Sequence, residues 1–168
     1  MPSPAYMSII AVQKGEVTTG AMSEDSVGRF SKASQIDRIQ VQQFECEIAL
    51  PRDPQTGQPV GRRVHRGFTI HKIFDKTSPD LYAMLAKGEE LRTVKIEWWR
   101  TSPAGIEEKY YEIKAERCTI TGMRTYMPNC LDPSLSFMGH MEAVSIAYRR
   151  ITWHHLITGT MEVDDWDN

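Results

Sequence analysis

The chain has 168 residues, with 20 Lys and Arg against 22 Asp and Glu for a formal charge of −2; 40% of residues are apolar and 25% charged. Such a chain forms one domain and buries roughly 70% of the surface its unfolded form exposes, so a core needs neither disulfides nor a metal. No apolar run approaches the roughly 20 residues of a membrane-spanning helix, so no membrane insertion is expected, and a near-zero charge argues against a nucleic-acid partner.

The opening Met1-Pro2-Ser3-Pro4-Ala5-Tyr6 lacks the basic and sustained apolar regions of a Sec signal peptide. Period-2 alternation, the mark of strands, then dominates. Over 36–50, Ile39 and Val41 share one parity and Phe44, Cys46, Ile48 and Leu50 the other. The slip at Gln42-Gln43 predicts a bulge that bends the strand. Further strands are predicted over 64–74, 91–100, 107–115 and 141–157, the last slipping once after Tyr148. Ser102-Pro103-Ala104-Gly105 predicts a hairpin turn.

One segment reads as a helix. Ser78 is the expected N-cap, Pro79 the first helical residue and Asp80 a complement to the positive end of the dipole. Leu81, Met84 and Leu85 make one apolar stripe over 78–87, and Gly88 stops the helix. Many strands and one helix mean a mainly-β chain. Long bent strands suggest a closed or nearly closed barrel, because closure needs bends and removes edges.

Two stretches fall outside the pattern. Residues 51–67 hold three Gly and three Pro and predict an extended loop, long enough to carry a function. Residues 158–168 predict a short acidic tail with an exposed Trp166. The three cysteines, Cys46, Cys118 and Cys130, are an odd set without C-x-x-C spacing, which fits cytoplasmic thiols rather than a disulfide framework.

No catalytic or phosphate-binding motif is present, and no cofactor is expected. Neighbours His154 and His155 point to opposite faces of a strand. His65 and His71 share a face but lie roughly 20 Å apart, so neither pair chelates a metal. What stands out is charge placement: residues 51–76 carry a net +4 and residues 158–168 a net −4. Complementary patches at different places on one molecule give head-to-tail contacts, which close as rings or continue as filaments. The expected subunit or ring-stacking contacts are Arg52, Arg62, Arg63 and Arg66 on the basic side, with Gly57 and Gly61 turning the backbone. The acidic candidates are Asp164 and Asp165, with Asp167, or Glu107 and Glu108 at a hairpin end.

Several blocks, in order and spacing, resemble the haemolysin-coregulated protein (Hcp) family of type VI secretion. They begin with Pro51-x-Asp53-x-x-x-Gly57-x-x-x-Gly61-x-Arg63-x-His65 and Lys72-x-x-Asp75. Thr77-Ser78-Pro79-x-Leu81-Tyr82-x-x-Leu85-x-x-Gly88-Glu89 follows. Val94-x-Ile96-x-Trp98-x-Arg100, Tyr111-x-Ile113-Lys114 and Val144-Ser145-Ile146-x-Tyr148-x-x-Ile151-Thr152-Trp153 complete the set. Ala115 departs from the Leu more usual in the family.

The resemblance implies a single domain over 1–168: a β-barrel of two antiparallel sheets with one flanking α-helix. It implies homohexameric rings stacked into a tube, with spike and sheath proteins as partners and small secreted effectors in the lumen. The loop after the second long strand, with Asp53 and His65 among its motif residues, would contact neighbouring subunits or rings. The protein would reside in the bacterial cytoplasm until firing, then be secreted without a Sec signal. A monomeric ligand-binding β-barrel of the lipocalin kind is the alternative, and a hydrolase would need a catalytic constellation that is absent.

Overall fold

The computed structural model describes residues 3–167; Met1 and Pro2 of the opening stretch and Asn168 of the acidic tail lie outside them. The elements are β1 (Ala5–Ala11), β2 (Gly15–Glu16), α1 (Glu24–Val27), β3 (Ile39–Val41), β4 (Gln43–Ala49) and β5 (Val64–Ile73). There follow α2 (Ser78–Lys87), β6 (Glu90–Thr101), β7 (Glu107–Tyr126), β8 (Met141–Ala147), β9 (Arg150–His155) and β10 (Thr160–Asp165). Every strand pairing is antiparallel, along the order β2-β1-β6-β7-β8-β5-β4. β3 adds to β1, and β9 and β10 extend from the first half of β7.

The chain is mainly β, as its alternation predicts, but the strands form one connected sheet where two were expected. Bends explain this. The predicted slip at Gln42 is the corner at which one strand changes partner, from β1 (Met7↔Ile39) to β5 (Gln43↔His71). The slip after Tyr148 likewise divides β8 from β9, opposite Arg117, whose φ is 52°. Strands that turn corners keep their ladders, so the sheet need not split.

Alternation buries one face. Met7, Ile9, Ile39, Ile70, Val94, Ile96, Val144 and Ile146 fill the core, and Ala115 takes a wholly buried place among them. Gly67 permits the tightest contact: a Cβ there would lie 2.4 Å from the Ile146 carbonyl oxygen, and its φ is +74°. Of the cysteines, Cys118 is buried, Cys46 half-buried and Cys130 exposed, all as free thiols. Burial pushes the Cys118 thiol up to about 12.

α2 spans the expected 78–87, but Thr77, not Ser78, is its N-cap, and Gly88 ends it in the left-handed conformation. The Ser78 hydroxyl is used elsewhere: it donates to Glu142 Oε1 at 2.6 Å and accepts from Lys72 Nζ at 3.1 Å. Lys72 is fully buried and also reaches Glu142 Oε1 at 2.5 Å, Asp75 Oδ1 at 3.1 Å and the Ile73 carbonyl at 3.0 Å. Asp75 Oδ1 in turn accepts from the Thr77 backbone and hydroxyl. The motif residues Lys72, Asp75, Thr77 and Ser78 thus join the end of β5, the start of α2 and β8.

The helix stripe packs unevenly. Leu81 and Met84 are buried, whereas Leu85 is half-buried against the same core. Leu81→Ala is therefore expected to cost about 2–5 kcal/mol in urea denaturation and Leu85→Ala distinctly less. Equal costs would show that the stripe is buried to the same depth at both positions.

Candidate assembly surface

Residues 51–60 form an arm outside the sheet. Turn chemistry rather than packing holds it together. The Asp53 carboxylate accepts from the Gln55 and Thr56 backbone at 2.7 and 3.1 Å, and the Asp53 carbonyl accepts from Gly57 N at 2.8 Å. Asp53 N donates to the Gln58 carbonyl, Val60 N donates to the Pro51 carbonyl, and Arg52 bridges Pro59 as an isolated antiparallel pair. Of the predicted loop 51–67, residues 51–60 are a small self-bonded hairpin whose tip Asp53 builds, and residues 64–67 belong to β5 instead.

The arm returns into β5 through Arg63, where the structure alters the electrostatic expectation. Arg63 Nε and Nη2 donate to the two carboxylate oxygens of Asp164, each at 2.5 Å, and Nη2 donates to the Asp165 carbonyl at 2.7 Å. Basic loop and acidic tail do meet, but within one chain. The predicted tail is largely β10, whose pairing with β9 brings Asp164 opposite Ile151. His65, expected at a contact surface, is buried instead. Its Nε2 lies 2.8 Å from Asp164 Oδ2 and its Nδ1 2.9 Å from the Tyr148 hydroxyl. The Asp164 carboxylate accepts from His65 Nε2–H. Trp166, half-exposed, lays its ring beside His65 at 5.5 Å between centroids.

Other predicted contacts also have partners at home. Arg66 pairs with Glu47, Glu107 with Lys32, Glu108 with Arg100, and Arg117 with Asp165 and Asp167. Arg52 and Arg62 are exposed and have no ion-pair partner among the described residues.

Sequence reasoning passed over the apolar side of this surface. Ile48, Leu50, Val60 and Val64, at the arm's root and return, are 38–54% exposed. The segment 127–140 between β7 and β8 was also passed over; it leaves Met127, Leu131 and Phe137 63–86% exposed. Its signal was present: fourteen residues with Asp132 as their one carboxylate and no Lys or Arg. Among the described residues no group of His, Cys, Asp and Glu has metal-site geometry, and no helix is long and apolar enough to cross a membrane.

The comparisons with known proteins agree with this geometry. Residues 6–155 match the family model described as "Type VI secretion system effector, Hcp". The "Major exported protein" of Pseudomonas aeruginosa is 48% identical over 166 residues, 99% of this chain and 96% of that protein. The chain belongs to the Hcp family. A crystal structure of an Hcp protein superposes with a TM-score of 0.93 at 36% identity, covering 97% of both chains. The secreted protein Hcp3 from Pseudomonas aeruginosa does so at 0.83 and 40%, again over 97% of both. As an Hcp, the chain is a secreted, structural and non-enzymatic protein of the type VI secretion system.

Within this Hcp, the hydrogen bonds from Arg63, and then His65, hold the Asp164 carboxyl below the usual carboxylate range. Burial, with Cys46 nearby, pushes the Tyr148 hydroxyl up. A depressed carboxyl adds stability above its unfolded value of about 3.9 and loses it as pH falls through the folded value. Arg63→Ala is therefore expected to raise the Asp164 midpoint toward about 3.9 in carboxyl NMR titration. The variant's stability deficit should be full at pH 7 and shrink as pH drops below about 3.9. An unmoved midpoint would show that Arg63 does not hold this carboxylate.

Proposed function

We propose that this Hcp assembles into homohexameric rings that stack into the inner tube of a type VI secretion system. In this reading the tube lies inside the contractile sheath, carries a spike at its tip and holds small effectors in the ring lumen. The protein waits in the bacterial cytoplasm and leaves the cell when the system fires.

The observation that carries the reading is the arm, a self-bonded hairpin that the subunit leaves exposed with Val60 on it and Leu50 at its root, and with Arg52 and Arg62, which have no ion-pair partner among the described residues. An element of this kind, on a chain whose opposite surfaces differ, favours heterologous contacts that repeat. A closed barrel in each subunit is supported by the bent strand that pairs with β1 before Gln42 and β5 after it. The core is filled by side chains such as Met7, Ile96 and Val144, so the reading assigns cargo to a space between subunits rather than inside one. Exposed ion pairs contribute only about 0.2–1 kcal/mol each, whereas apolar burial contributes about 25 cal/mol per Å², so Leu50 and Val60 matter alongside Arg52 and Arg62.

Light scattering of the purified chain at micromolar concentration, with electron-microscopy class averages, tests this. Six-fold rings near six times the 19.2 kDa subunit mass are expected. A monodisperse monomer would overturn the reading.

A further inference from the structure

Two exposed apolar features stand at opposite ends of one strand. β5 enters from the arm at Val64 and leaves at Ile73, ten residues later, a span of about 30 Å. Past that far end lies a groove of about 550 Å³. Ile73 and Phe74 form part of its wall, together with Phe30, Met127, Leu135 and Met138. Phe74 is 41% exposed there, and the overhanging segment leaves Leu131 and Phe137 86% and 72% exposed. The groove holds one carboxylate, Asp132, whose side chain accepts from Ser134 N and Oγ, bonds that hold its carboxyl below the usual range.

We propose that the groove between Phe74 and segment 127–140 receives the arm of a second copy of this chain, joining one ring to the next. Three observations choose that occupant. The arm's apolar side chains, Leu50 and Val60, match a groove walled by Phe, Ile, Leu and Met. Arg52 on the arm and Arg62 on its return, without ion-pair partners among the described residues, complement a groove that carries the Asp132 carboxylate and is lined by no Lys or Arg among them. Position decides the rest: a contact between the two ends of β5 advances each copy along the strand direction, so it propagates a stack instead of closing a pair.

The proposal rests on the stacked-ring reading and names the receiving surface within it. The exposed native Cys130 on the groove wall is a built-in probe. Leu50→Cys, Gln55→Cys and Val60→Cys would each be purified as full chains, brought to stacking conditions and treated with a mild oxidant. At least one is expected to give a ladder of multiples of the 19.2 kDa chain on non-reducing gels, lost when Cys130→Ser is added. Independently, Leu131→Asp with Phe137→Asp, and Val60→Asp alone, are expected to reduce stacked rings at least tenfold by electron microscopy. Ring mass and melting temperature of the unstacked rings should stay at the parent values.

A ladder that survives Cys130→Ser, or parent-like stacking in the Asp variants, overturns the proposal. So does stacking with no ladder from any arm position, which would leave the groove to a different occupant. Rings present in every case confine the failure to this proposal; a parent that never forms rings removes the stacked-ring reading as well.

Discussion

A polar clamp at each end of β5, wholly buried at one end and half-buried at the other, is the constraint on which the rest of this structure depends. At the far end Lys72, wholly buried, spends its ammonium on Glu142, Asp75, Ser78 and the Ile73 carbonyl. At the near end buried His65 and half-buried Arg63 converge on Asp164. Ions removed from water gain little net stability over an apolar replacement, but a lone buried ion costs about 3–5 kcal/mol. The clamps therefore act by exclusion. Any packing that moves α2 or β8 from the end of β5 strands Lys72, and any that frees β10 takes Asp164 away from Arg63 and buried His65. Glu142 Oε2 already lacks a hydrogen-bond partner among the described residues, so the far clamp has little slack.

This explains which residues made the family legible in the sequence. Lys72-x-x-Asp75 followed by Thr77-Ser78-Pro79 is a spacing dictated by one ammonium reaching two elements. Ser78 looks like a helix cap because such a hydroxyl at a helix start usually is one. Here Lys72 and Glu142 claim it, and the N-cap falls to Thr77 without a side-chain bond. No local rule reveals that competition, because Glu142 lies 64 residues away.

Other misses have equally local causes. β1 (AYMSIIA) is buried at nearly every position, so it shows no alternation to read. The second half of β7 lies beyond the kink at Arg117 and the irregularity at Gly122, which break its period. β10 looked like a tail because Glu162, Asp164 and Asp165 outweigh Met161 and Val163 in composition. Its ladder with β9 is made by backbone groups that composition does not register. The corners at Gln42 and Tyr148 were visible, since a bend changes side-chain parity whatever partner the strand finds.

Net charge is silent on connectivity. Opposite net charges on residues 51–76 and 158–168 state that two segments attract, not whether one molecule or two supply them. Within a chain the partners are held at high effective concentration, so the in-chain pair forms first unless geometry forbids it. The hairpin β9–β10 permits it, and Arg63 with Asp164 is spent before any neighbour arrives. What remains for a neighbour is what the fold fails to satisfy: Arg52, Arg62, the apolar root of the arm and the apolar groove beyond Ile73. The same clamps that consume charge inside the subunit hold these leftovers in place. Arg63 and His65 fix the base of the arm, and Lys72 fixes the turn that presents Phe74. The two ends of one strand are thereby held at a set distance, which is the geometric requirement for a repeat of constant rise.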